Sequence, residues 1–107
     1  MSIFRETTHL SEIIEESSKH PVIVFIFSSE CGTSTRLAEE IERSVKHKKI
    51  TAPIYKVTVQ LHPALSERIE SWFGIKHESP QILILKNGSV TYTAHHGAIR
   101  VEDFIYE

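Results

Sequence analysis

Val22-Ile23-Val24-Phe25-Ile26-Phe27 is apolar at every position, without the alternation of a strand that wets one face. A strand of this kind is buried on both sides, as in the middle of a parallel sheet covered by helices. Pro21 closes off what precedes it, and the small or polar residues Ser28, Ser29 and Glu30 follow. The rest of the chain arranges itself around this segment.

Upstream, Leu10, Ile13 and Ile14 recur at helical spacing, with Thr8 available as a cap. Downstream, Leu37, Ala38, Ile41 and Val45 mark a long helix from about Gly32 to His47. Its solvent side carries Arg36, Glu39, Glu40, Glu42, Arg43 and Lys46. Pro53 to Val59 reads as a second strand. Pro63 suits the first position of a third helix, where a missing N–H costs nothing. Leu65, Ile69, Trp72 and Phe73 are its expected buried stripe, and Gly74 its end.

Gln81 to Lys86 is a further strand, and Asn87-Gly88 supplies the positive φ angles of a type I′ hairpin turn. Ser89 to Ala94 returns antiparallel, and Val101 to Tyr106 is expected as a closing helix. Alternating helices and strands ending in one hairpin give an α/β fold. The expected sheet is mixed, of about four strands, with helices on both faces. The whole chain, residues 1–107, reads as one domain, without repeats or low-complexity linkers.

Composition narrows the function. Hydrophobic residues make up 40% and charged residues 24%, as in ordinary soluble proteins. A net charge of -2 offers no electrostatic attraction for nucleic acid or an acidic membrane. The longest apolar run, Val22 to Phe27, is too short to cross a bilayer, and Met1 to Leu10 lacks the apolar core of a signal peptide. One cysteine excludes an intramolecular disulfide, so a reducing cytoplasm is the expected location. The expected state is a monomer or weak dimer.

Cys31 stands between the buried strand and the first turn of the long helix. The unpaired N–H groups and dipole at a helix start favour negative charge, which raises the thiolate fraction of a cysteine there. The thiolate is the nucleophile of disulfide exchange. Ser34, three residues on, is placed to donate a hydrogen bond to the sulfur, whereas Glu30 opposes the anion. The alternative is a buried structural cysteine, a common fate of free thiols. The polar or small neighbours Ser28, Ser29, Gly32 and Thr33 suit an exposed loop instead.

Ser79-Pro80, ahead of the last hairpin, is on its own a turn or edge device. The seven histidines are scattered, and the adjacent His95 and His96 would point to opposite faces of a strand. With one cysteine they lack the paired spacing of a zinc site, so no metal is expected.

A cysteine at a helix start after a buried strand, followed by a proline-led hairpin, resembles the thioredoxin fold. In that fold the proline is cis and lies beside the cysteine. Here the Cys-x-x-Cys motif reads Cys31-Gly32-Thr33-Ser34, a monothiol version. The stretch from Gly74 through Lys76-His77-Glu78-Ser79-Pro80-Gln81 to His96 and Ile99 closely resembles the monothiol bacilliredoxins. Val59-Gln60, Pro63 and Ser66 fit the same family.

The resemblance implies removal of bacillithiol from protein mixed disulfides, with no resident cofactor and bacillithiol as co-substrate. Cys31 would be the catalytic thiol. Gly32, Thr33, Ser34, Ser79, Pro80 and His96 would line the substrate site, and S-thiolated client proteins would be the partners. Arg36, Lys76 and Arg100 are candidates for the carboxylates of bacillithiol. Two departures stand out: the family usually has proline after the cysteine, here Gly32, and often a basic pair where this chain has Ile26-Phe27. A redox-inactive binding module and a sensor that dimerises through Cys31 are the alternative functions.

Overall fold

The computed structural model describes residues 3–47, 50–76, 78–95 and 99–100. Its elements are β1 (Phe4–Arg5), α1 (Leu10–Ser17), β2 (Val22–Phe27), α2 (Gly32–Lys46), β3 (Ile54–Thr58), α3 (Pro63–Phe73), β4 (Gln81–Lys86) and β5 (Ser89–His95). The strands form one sheet in the order β1-β3-β2-β4-β5, so the all-apolar segment is its central strand. β3 runs parallel to β2, from Ile23 opposite Ile54 to Phe27 opposite Thr58. β4 runs antiparallel on the other side, with Val22 opposite Leu85 and Ile26 opposite Gln81.

Successive side chains of a strand point to opposite faces, which divides the core in two. Val22, Val24 and Ile26 pack with Tyr55, Val57, Leu83 and Leu85 beneath Leu10 and Ile13 of α1 and Leu65 and Ile69 of α3. Ile23 and Phe25 turn the other way, with Ile54, Ile82 and Ile84, to meet Leu37 and Ile41 of α2. Burying an aliphatic side chain of this size is worth about 1.5–3 kcal/mol. The helices therefore sit on both faces, and among the described residues α2 is the one helix on the second, joined there by the buried Ile50.

Turn chemistry fixes the ends. Gly74 terminates α3 in the left-handed region at φ 64°, and Asn87 and Gly88 have φ of 52° and 76° in the hairpin turn. That turn is fastened to α1. The Asn87 N–H donates to the Ser17 carbonyl at 2.8 Å, and the Gly88 N–H donates to the Ser17 hydroxyl at 2.9 Å.

Three expectations are corrected. The sheet has five strands, because the two-residue β1 pairs with β3 and is too short to leave a periodic signature. Thr8 does not cap α1: His9 holds the cap position without a side-chain bond, and the Thr7 hydroxyl accepts from the His9 N–H instead. Trp72 is not core but 63% exposed. The buried face of α3 runs through Leu65, Ser66 and Ile69 to the half-buried Phe73, which rotates Trp72 to its edge. The expected closing helix lies outside the described residues.

Candidate active site

β2 ends at Phe27, and α2 begins after four intervening residues, at Gly32. Cys31 occupies the cap position of α2 in an extended conformation, φ -111° and ψ 115°. It is partly exposed, with its thiol near the first donors of α2 but not closing a full capping hydrogen bond. The first N–H groups of a helix have no partner within it, so they face whatever occupies the cap. Their effect on the sulfur is directional. The Cys31 thiol is held below its ordinary pKa, first by the Ser34 amide and next by the Ser34 hydroxyl, with smaller pulls from the amide and hydroxyl of Thr33. Partial burial pushes it back up by less than the Ser34 groups lower it. These donors favour the anion that attacks disulfides.

The chain between Phe27 and Cys31 is a bonded turn. The Cys31 N–H donates to the Ser28 carbonyl at 3.2 Å, and the Glu30 N–H to the Ser28 hydroxyl at 3.3 Å. The buried Ser34 hydroxyl accepts from the Ser28 N–H at 3.4 Å. From the neighbouring loop, Gln60 takes the Ser29 N–H on its Oε1 at 3.0 Å and donates its Nε2 to the Ser28 hydroxyl at 2.8 Å.

Ser79-Pro80 is a cis peptide at the start of β4. Because Gln81 lies opposite Ile26, this bond sits at the same end of the sheet as the Cys31 turn. Its loop is held by the buried Gln81 side chain, which donates to the Lys76 carbonyl at 3.2 Å and accepts from the Glu78 N–H at 3.4 Å.

Of the residues named from sequence, Cys31, Gly32, Thr33 and Ser34 form one turn, with Gly32 and Thr33 exposed and Ser34 buried. Ser79 and the buried Pro80 join them at that end of the sheet. His96 lies outside the described residues. Arg36 is exposed on α2 and Lys76 is exposed on the loop before Pro80; Arg100 is exposed after the last strand. Among the described residues, no three His, Cys, Asp or Glu side chains gather as a metal site, and no helix is long and apolar enough to span a membrane. The bracing by Gln60 and Gln81 was not read from sequence. The parallel register of Phe27 with Thr58, extended two residues, brings Gln60 level with Ser29.

A model of the family described as "Monothiol bacilliredoxin BrxC" matches residues 3–104. The chain belongs to that family. The solved structures similar to this bacilliredoxin share its thioredoxin fold. A candidate oxidoreductase with a thioredoxin fold superimposes with a TM-score of 0.79 at 23% identity, covering 92% of this chain and 88% of that one. Oxidised thioredoxin from Plasmodium falciparum is 28% identical, with a TM-score of 0.65 over 90% of this chain and 86% of its own. A point-mutant thioredoxin from Halobacterium salinarum NRC-1 matches at 17% identity and a TM-score of 0.69, covering 94% and 85%. Family and fold together give this monothiol bacilliredoxin a thiol redox role.

Proposed function

We propose that the protein removes bacillithiol from client proteins by monothiol disulfide exchange at Cys31. The Cys31 thiolate attacks the bacillithiol sulfur of a mixed disulfide, forms a Cys31–bacillithiol disulfide and releases the client cysteine as a thiolate. A second low-molecular-weight thiol attacks the bacillithiol sulfur of the adduct, leaves with it as a disulfide and returns Cys31 to its thiolate. Each step exchanges one S–S bond for another, and the second thiol is the reductant.

The observation that carries this reading is the place of Cys31: one partly exposed thiol at the start of α2, pulled toward its anion by Ser34 and Thr33. Ser34 stands where a dithiol relative would hold its second cysteine. The adduct therefore has no internal thiol to resolve it, which calls for an external one. The Ser79-Pro80 loop, at the same end of the sheet, supports docking of a client backbone there, with Gly32 and Thr33 on the exposed side.

Intact-mass spectrometry tests the proposal. Reduced protein is mixed with a bacillithiolated client, with a glutathionylated client and the Cys31→Ala variant alongside. Gain of one bacillithiol by the native chain, release of the client and an inert variant are expected. Preference for the bacillithiol client identifies the thiol. If an alkylating reagent reaches Cys31 yet neither client yields an adduct, the enzyme reading is wrong and a binding module takes its place.

A further inference from the structure

The parallel ladder between β2 and β3 ends at the bond from the Val59 N–H to the Phe27 carbonyl, 2.9 Å. Beyond that point the strands part: one leads into the Cys31 turn and the other into α3. Gln60 stands at the parting. Its side-chain amide is chemically a peptide group, with one acceptor and one donating NH₂. It accepts from the Ser29 N–H as a strand carbonyl would, and donates to the Ser28 hydroxyl in place of a backbone carbonyl. The Ser29 N–H can only donate, so the orientation of the amide is fixed by its partner.

Ser28 is the hub of the turn. Its hydroxyl receives both Gln60 and the Glu30 N–H, its carbonyl receives the Cys31 N–H, and its own N–H reaches Ser34. Ser34 is also the residue that most favours the anion on Cys31. Gln60 is thus linked toward the sulfur through two bonded residues while remaining exposed itself.

We infer that Gln60 is a positioning residue, a side-chain rung that holds the Cys31 turn in register with β3 and so keeps the sulfur against the first donors of α2. The inference rests on Cys31 acting as the nucleophile, and adds a part on a different loop. Gln60 touches no reacting atom.

The test is the pH profile of Cys31 alkylation by iodoacetamide in the native protein, Gln60→Ala and Gln60→Met, with a thermal melt of each. Methionine keeps the length and loses both bonds. On the acid limb of the profile both variants are expected to alkylate roughly twofold to tenfold more slowly, the effect of at most one ordinary hydrogen bond. Their profiles move to higher pH and converge with the native rate where the thiol is fully ionised. The melts should stay close together, because the bonds are exposed. Superimposable profiles would overturn the inference. The probe needs no bacillithiol, so a shifted profile without transfer from any client would keep the brace and remove the bacillithiol reading alone.

Discussion

Ser17 is buried at the end of α1, and its hydroxyl does two things. It donates to the Ile14 carbonyl at 2.6 Å and accepts from the Gly88 N–H at 2.9 Å. Ser17→Ala removes both while leaving the Asn87 N–H on the Ser17 carbonyl. The Gly88 N–H then has no protein partner in a half-buried position, where water reaches it only in part. An orphaned group of this kind costs about 1–3 kcal/mol, and partial hydration places this one at about 1–2 kcal/mol. With about 2.1 cal/mol/K of unfolding entropy per residue, 107 residues give a slope of about 4 °C per kcal/mol.

Calorimetry of the reduced protein should therefore find Ser17→Ala melting about 4–9 °C below native. The Cys31 alkylation profile should not move, because the hairpin turn is at the end of β4 away from Ser79-Pro80. A melt within about 1 °C of native would show that the anchor contributes nothing measurable. A shifted alkylation profile would show that the two ends of the sheet are coupled, contrary to the two-ended reading of β4.

Ser34→Ala keeps the backbone donor to Cys31 and loses the hydroxyl, so the alkylation midpoint should rise part of the way toward that of a free thiol, read by thiolate absorbance at 240 nm. The sign for stability follows from the lowered folded pKa. Between that value and the unfolded thiol value of about 8.5, the unfolded chain holds the extra proton, so stability rises with pH there. It is lost as pH falls through the folded pKa, and chemical denaturation of native protein against Cys31→Ala at several pH values measures it. Gly32→Pro, the residue usual in the family, should stabilise by about 0.4–1 kcal/mol, or about 2–4 °C in the melt. The first helical position tolerates proline, Cys31 before it is already extended, and a Cβ at Gly32 meets nothing within 4 Å.

The fold was legible because its central strand violates alternation. Val22–Phe27 had to be buried twice, and Gly74, Asn87 and Gly88 marked the ends through the φ they permit. What escaped was either too short to carry a period, as Phe4–Arg5, or decided by rotation of a helix about its axis. Helical spacing admits Trp72 to the stripe, but the burial of Ser66 turns the packed face away from it. At the site, Cys31 and Ser34 were readable because both lie in one turn. Gln60 and Gln81 carried the family resemblance but not their bracing role, because their bonds are made to chain far away in sequence or to a loop's backbone.

The missing basic pair also finds its physical place. Ile26 is buried among Val22, Val24, Val57 and Ile69, where a lysine or arginine would surrender its hydration without a partner. Phe27 lies on the other face and holds a cation by its ring instead: the Lys56 ammonium, from β3, is 4.1 Å from the ring centroid. The anion on Cys31 is thus favoured by oriented amides and hydroxyls of its own helix rather than by charges on the strand before it. Oriented donors act at bonding range, where salt screens little, whereas separated exposed charges weaken beyond about 8 Å at physiological ionic strength. The reactivity of this thiol accordingly depends on the geometry of four residues, Cys31 to Ser34, and on whatever keeps that turn in place.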